Sequence, residues 1–420
     1  MRVINVADVV LLIEVDHEVP VADREVARHE NKDTWSVIGL KSIYFRALEA
    51  CAPEQLVGRV WRPDMPRDVV AIGKCAGALL DGISDFDNAF VAIPEGYREP
   101  RAKAQVRKGG HPQMTEASFA TGRALLDFVD AHRDILFLIS GGGSACVELP
   151  LTPWFGERDV IESNDRLIKS GASIGEINCV RKHLSAIKGG RLGARVRGRS
   201  VTLIYSDVSS GALADVASGP TLADPTTRRD AIKILERVGG FDRIVTKLLD
   251  EECPETIKHI EDSTVQLIAD NDTLTAAAAS IAPRAVRCEH QIEGDVSEAA
   301  AFLLDRVSKI ERGQVLVAGG EPTVVMRGQG KGGRCSELAV RVALGATEPI
   351  EALFGSSDGV DGNSGVAGIR ISLPAAFDRT MAERELAGSN SFAVAAAIGE
   401  PLTIVPSGNN LRDLYLLARS

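Results

Sequence analysis

Short glycine-rich loops hold most of the residues in this chain that could do chemistry. Gly328-Gln-Gly330-Lys-Gly332-Gly333 matches G-x-G-x-x-G, and its surroundings read as a strand at Thr323–Met326 leading to a helix at Ser336–Leu344. Glycines there let the backbone approach a phosphate, and a helix N-terminus offers unpaired N–H groups to it. Lys331 and Arg334 add positive charge, which suits a terminal phosphate better than a pyrophosphate on bare backbone. The same spacing also fits a plain glycine turn. Ser140-Gly141-Gly142-Gly143-Ser144 follows the apolar run Ile135–Ile139 and contains no basic residue. It reads either as a nest for a carboxylate or phosphate, or as a tight strand-to-helix turn with Ser144 as its cap.

Charged side chains gather beside these loops. Lys74 directly follows the run Asp68–Ile72 and precedes small residues, so it can reach a phosphoryl group; a surface lysine is the other reading. The stretch Asn178–Arg191 is basic within an acidic protein, and Arg181, Lys188 and Arg191 can either enter a site for charged ligands or line a solvated helix face. Asp207 follows the run Val201–Tyr205, and Asp358-Gly-Val-Asp361 follows another strand-like run. Carboxylates in such places suit Mg²⁺ ligation or deprotonation of a substrate hydroxyl. The Asp358 loop is not a calcium loop, since position twelve would be Ile369 instead of glutamate. His111, before Pro112, reads as a turn residue, and the absence of G-x-x-x-x-G-K-[ST] excludes a P-loop kinase.

The elements that must position these groups are short apolar strands alternating with helical segments, the pattern of a mostly parallel sheet with helices on both faces. Ligands of such sheets bind outside the carboxyl ends of the strands, where these loops fall. At 420 residues the chain calls for two domains. The expected division is an N-terminal arm over 1–33, a Rossmann-like α/β domain over 34–308, and a smaller α/β domain over 309–420. The 40 glycines are clustered in loops instead of spread as low-complexity sequence, which points to close backbone work around a ligand. A net charge of −10 argues against a nucleic-acid partner. Val9–Ile13 is the longest apolar run near the N-terminus, far short of the roughly 20 residues a membrane span needs. Seven cysteines without regular spacing suggest reduced thiols and a cytoplasmic protein.

Taken in chain order, these loops resemble the glycerate 2-kinase family, whose C-terminal part is the MOFRL domain. The resemblance runs from about residue 35 to the C-terminus and rests on Ala71–Ala76, Gly110–Pro112, Leu138–Ala145, Ile177–Ser185, Lys188–Leu192, Ser206–Val208, Ala217–Thr221, Gly319–Glu321, Gly332–Arg334 and Asp358-Gly359. It implies transfer of the γ-phosphate of MgATP to the 2-hydroxyl of D-glycerate. By the same resemblance Lys74 and Arg334 stabilise the transferring phosphoryl group, and Asp207 and Asp358 hold Mg²⁺ or orient the hydroxyl. Glu321 supports them, and Asn410 lies in the same C-terminal site loop. Three segments depart from the family's pattern. Ser209-Ser-Gly-Ala212 replaces Pro-Gly-Asp-Asp, Asn390-Ser-Phe392 replaces Asn-Asp-Ser-Tyr, and Ile404–Leu411 replaces Thr-Gly-Pro-Thr-Gly-Thr-Asn-Val. The candidate charged residues survive, so the expected partner is a small hydroxy acid or sugar acid, with a homodimer left open. Two other readings stand beside this one: an NAD(P)-dependent hydroxypyruvate reductase, and a ligand-binding relative without turnover. The reductase would need an acidic residue at a strand end about 20 residues past the fingerprint. Glu348 and Glu351 instead flank Pro349.

Overall fold

The computed structural model describes residues 39–208 and 212–419, together with the backbone of two strands at residues 2–6 and 9–13. The rest of the expected arm and the Ser209–Gly211 part of the first departure lie outside the described residues.

Continuous apolar runs, not alternating ones, mark strands buried on both faces, and they assemble here in parallel. β1 (Arg2–Val6) and β2 (Val9–Ile13) form an antiparallel pair on the sheet's edge. The body of the sheet is β3 (Asp68–Ile72), β4 (Asn88–Pro94), β5 (Gln105–Gly109), β6 (Ile135–Ser140), β7 (Ser200–Tyr205) and β8 (Ser263–Ala269). Their order is β8-β7-β6-β3-β4-β5, all parallel, with β2 added beside β8. The winding direction reverses between β3 and β6, the point where open α/β sheets leave a crevice. Register aligns Ile72 with Ile139 and Ser140 with Tyr205, so the loops after β3, β6 and β7 begin side by side.

The second sheet contains β9 (Ala285–Arg287), β10 (Val315–Gly320), β11 (Ile350–Ser356), β12 (Gly368–Leu373), β13 (Gly399–Leu402) and β14 (Asp413–Arg419). Its order is β13-β12-β11-β14-β10-β9, and only the β9–β10 pair is parallel. Chain ahead of the expected boundary at 308 also packs with this sheet. β9 already belongs to this sheet, and the helix Val296–Ser308 buries Ala299, Leu303 and Val307 in the second core with Leu316, Leu338 and Tyr415. The strand expected at Thr323–Met326 does not form. Thr323 makes an isolated bridge with Asp295, Val324 alone packs partly on the second core, and Val325 and Met326 are exposed.

Helices Leu40–Ala50 and Asn271–Ile281 join the two sheets. Ile43, Tyr44 and Ala47 pack with Leu203 and Tyr205 of the first sheet and Leu353, Leu414 and Leu416 of the second, in one apolar cluster. The Tyr44 hydroxyl donates to the Ser356 carbonyl at 2.6 Å, at the end of β11. This shared core sets the carboxyl edge of the parallel sheet against the loops that follow β11 and precede β14.

Candidate active site

On the first domain, the triple-glycine loop after β6 is a floor for two charged groups. The Lys74 amide donates to the Gly141 carbonyl at 2.8 Å, fixing the chain just after β3 beside the loop. A Cβ on Gly142 would lie 2.6 Å from Lys74 Cγ, and one on Gly141 only 1.7 Å from Asp207 Oδ2. Any side chain at 141 would displace the Asp207 carboxylate. Burial pushes the Asp207 carboxyl up, Lys74 and Arg412 pull it down, and Asp358 pushes it up again. Ser140 is inward-facing: its Oγ accepts from the Cys75 amide and donates to the Ile72 carbonyl, both at 3.4 Å. Gly143 packs on Ala217, and the Ser144 and Ser218 hydroxyls pair at 2.8 Å. The loop expected to cradle an anion thus holds a lysine and an aspartate in place.

On the second domain, Asp358 follows β11. Its Oδ1 accepts from the Ser356 hydroxyl at 2.8 Å and the Val360 amide at 3.0 Å. Arg334 opens the helix Arg334–Gly345 and makes a two-pronged ion pair with Asp413, at 3.0 and 3.1 Å, while its Nη1 lies 3.1 Å from Glu321. Burial works against the Arg334 charge, but Asp413 and Glu321 outweigh it and hold its pKa above the ordinary value. Burial raises Glu321, against the pull of Arg334. Asn410 is a step removed: its Oδ1 accepts from the Arg412 amide at 2.9 Å.

The G-x-G-x-x-G loop is occupied by its own chain. Asp361 Oδ1 and Oδ2 accept from the Cys335 and Ser336 amides, each at 2.9 Å, which closes the helix N-terminus expected to take a phosphate. The Lys331 amide donates to Asn390 at 3.0 Å and the Gly332 amide to Asn363 at 2.8 Å. Gly328, Gly330, Gly332 and Gly333 face Gly388, Asn390, Ser391 and Asp361 at distances no Cβ could share. Gly332, Gly333, Arg334 and Glu321 nevertheless form part of the wall of a cavity of about 600 Å³ that continues along Pro322–Val324, Asn363 and Ser389.

Two of the three basic candidates between 181 and 191 do structural work. Lys188 is fully buried, its ammonium on the buried Glu148 carboxylate and the Val147 carbonyl. Arg191 straps the Lys182, Pro254 and Glu255 carbonyls at 3.0–3.3 Å. Arg181 differs. It is buried, Asn164 accepts from its Nε at 2.7 Å, and among the described residues no carboxylate lies within ion-pair distance of it. Sequence reasoning passed over Arg412 and Asp413. The one signal available was a charged pair set directly before the apolar run Leu414–Leu417. Among the described residues no cluster of three metal-ligating side chains occurs.

Across the domain junction, Asp207 of the first domain is linked to Arg412 of the second and lies within charge range of Asp358 and Glu321. Comparison with known proteins adds to this. Residues 39–250 match a domain family described as of unknown function, DUF4147, and residues 314–413 match the MOFRL family. A protein of Pyrococcus horikoshii named glycerate 2-kinase is 34% identical, over 83% of this chain and 86% of its own. The crystal structure of a Thermotoga maritima glycerate kinase superposes with a TM-score of 0.79 at 29% identity, covering 91% of this chain and 98% of that one. A relative from Agrobacterium vitis, 32% identical over 91% of this chain and 95% of its own, carries a provisional hydroxypyruvate reductase name instead. The chain belongs to the glycerate 2-kinase family. It is a phosphotransferase with an alcohol group as acceptor, and glycerate is the acceptor its kinase relatives are named for.

Proposed function

We propose that the chain transfers the γ-phosphate of ATP to the 2-hydroxyl of D-glycerate or a closely related hydroxy or sugar acid. The observation that carries this reading is the pairing of Lys74 and Asp207 on adjacent glycines at the sheet's switch point, with Asp358 and Arg412 close enough to act on the Asp207 charge. Phosphoryl transfer asks a protein for positioning and charge stabilisation more than for covalent chemistry. Lys74 meets the transferring phosphoryl group from the first domain and Arg334 from the second. Asp207 orients the acceptor hydroxyl and takes its proton. Arg181, without a carboxylate partner, is suited to the acceptor's own carboxylate. The cavity beside Glu321 and Arg334, at about 600 Å³, falls within the roughly 300–1,000 Å³ of small-molecule sites and takes the nucleotide. Gly332 and Gly333 act there as wall, not as phosphate cradle.

Asp207 and Asp358 fit Mg²⁺, which binds through one or two carboxylates and completes its shell with water and substrate phosphates. When bound, Mg²⁺ neutralises phosphate charge during transfer. All seven cysteines are buried free thiols, which suits a reducing cytoplasm. The reductase reading lacks its structural context. Among the described residues, no strand follows β10 over 321–327 to lead into the G-x-G-x-x-G loop, and Asp361 fills the helix N-terminus a pyrophosphate would need. The deciding experiment measures ADP release with MgATP against D-glycerate, L-glycerate and a panel of four- to six-carbon hydroxy and sugar acids. Turnover on one of these acceptors is the expected result. Silence on all of them, with NADH oxidation on hydroxypyruvate, would overturn the reading.

A further inference from the structure

Arg412 is the side chain by which the second domain reaches the first at the site. It sits directly before β14 with a φ of +66°, a left-handed conformation that an arginine holds only when its surroundings fix it. The backbone is pinned at both ends: the Arg412 amide donates to Asn410 Oδ1 at 2.9 Å, and its carbonyl accepts from the Ser357 amide at 3.0 Å. Its side chain is only 11% exposed. Nη1 donates to Glu293 at 2.7 Å and Gln291 at 2.8 Å, in the segment between β9 and the helix Val296–Ser308. Nε lies 3.5 Å from Glu321 and donates to the main-chain carbonyl of Asp207 at 3.3 Å. The left-handed turn therefore aims a guanidinium across the domain junction, braced by two second-domain carboxylates, onto the carbonyl of the residue whose side chain faces Lys74.

We propose that Arg412 is a positioning residue for phosphoryl transfer: a cross-domain strut that holds the Asp207 loop in register with Glu321 and Arg334. The strut rests on the kinase reading above for its catalytic consequence, not for its geometry. It acts through Asp207, so its loss lowers kcat and leaves the KM for ATP nearly unchanged.

Arg412→Asn tests this, because asparagine accepts the left-handed turn and deletes only the guanidinium. The expected result is a fall in kcat of about 10- to 100-fold with a small change in the KM for ATP. Arg412→Lys, which keeps the charge but not the fork, should recover kcat only in part. Hydrogen exchange of the full-length protein supplies a readout independent of turnover. The amides of residues 206–208, in the other domain, should exchange faster in Arg412→Asn than in wild type, while those of β3 and β6 stay as they were. An unchanged kcat in Arg412→Asn would overturn the proposal. So would unchanged exchange at 206–208, whether or not the wild-type protein has kinase activity. Wild-type silence with faster exchange in the variant would instead sink the kinase reading and leave the strut standing.

Discussion

The two glycine-rich loops, Ser140–Ser144 and Gly328–Gly333, look alike as sequence and do different work. In the first, Gly141 and Gly142 leave room for Asp207 and Lys74, so the absent side chains create a place for the two charged groups proposed to act in transfer. In the second, the glycines leave room for Gly388, Asn390, Ser391 and Asp361, so the absent side chains let the protein close on itself. Glycine spacing thus reports that something comes within Cβ distance of the backbone. It does not report whether that something is a ligand, a catalytic side chain or another loop.

The sharpest way to break this comparison is one methyl group in each loop. Gly141→Ala places a Cβ on the Asp207 carboxylate. We expect kcat to fall by about 10²–10³-fold, as when an electrostatic group of an active site is lost, with the thermal midpoint nearly kept. Gly333→Ala meets Asp361 Oδ1 at 2.2 Å and should show the reverse balance: about 1–3 kcal/mol of stability lost by overpacking, with residual activity in the folded fraction. Parallel kinetics and denaturant titrations read both. Matching stability losses in the two variants would show that the loops do the same job.

Lys74 and Arg334 extend the comparison to the charges above each loop. Lys74→Ala should cost about 10²-fold in turnover and little stability, since among the described residues no ion pair ties its ammonium down. Arg334→Ala should cost a similar factor and also destabilise by about 3–5 kcal/mol, because it leaves the fully buried Asp413 without its cation. Near-wild-type kcat in both would remove them from the site.

The smallest expected effect belongs to Asp361, the carboxylate that closes the second loop. Burial pushes its carboxyl up to about 6, against the Ser336 hydroxyl and the backbone amides that bind it. A folded pKa above the unfolded one means that folding takes up a proton. The stabilisation is complete below about 3.8 and is lost as pH rises through about 6. Asp361→Asn cannot titrate, so the gap in thermal midpoint between wild type and variant should narrow from pH 4 to pH 7. A widening gap would mean that the ionised cap is the form the helix prefers.

Much of this architecture is legible in the residues. The apolar runs that became β3, β6 and β7, the small loops at their carboxyl ends, and Lys74 and Asp207 just beyond them all follow from local pattern, because strand burial and chain direction are local properties. The second domain was less legible. Its expected strand at 323–326 does not form, with Val325 and Met326 exposed, and the three residues of β9 were too short a run to read as a strand. Lys188, Arg191 and Arg181 show the same limit at side-chain scale. All three are cations within one basic stretch, yet Glu148 neutralises the first, carbonyls strap the second, and Asn164 alone contacts the third among the interactions described.

By itself, then, the sequence determined the layer architecture, the family and the edge of the sheet that carries the candidate site. Those depend on periodicity and on residue types within a few positions of one another. Tertiary structure alone decided which charges are free to meet a substrate. That choice rests on partners far apart in the chain: Asp207 above Gly141 in one domain, and Arg412 reaching it from 205 positions away in the other. A pairing across such a distance follows from how two sheets pack on a shared core, which no local pattern encodes.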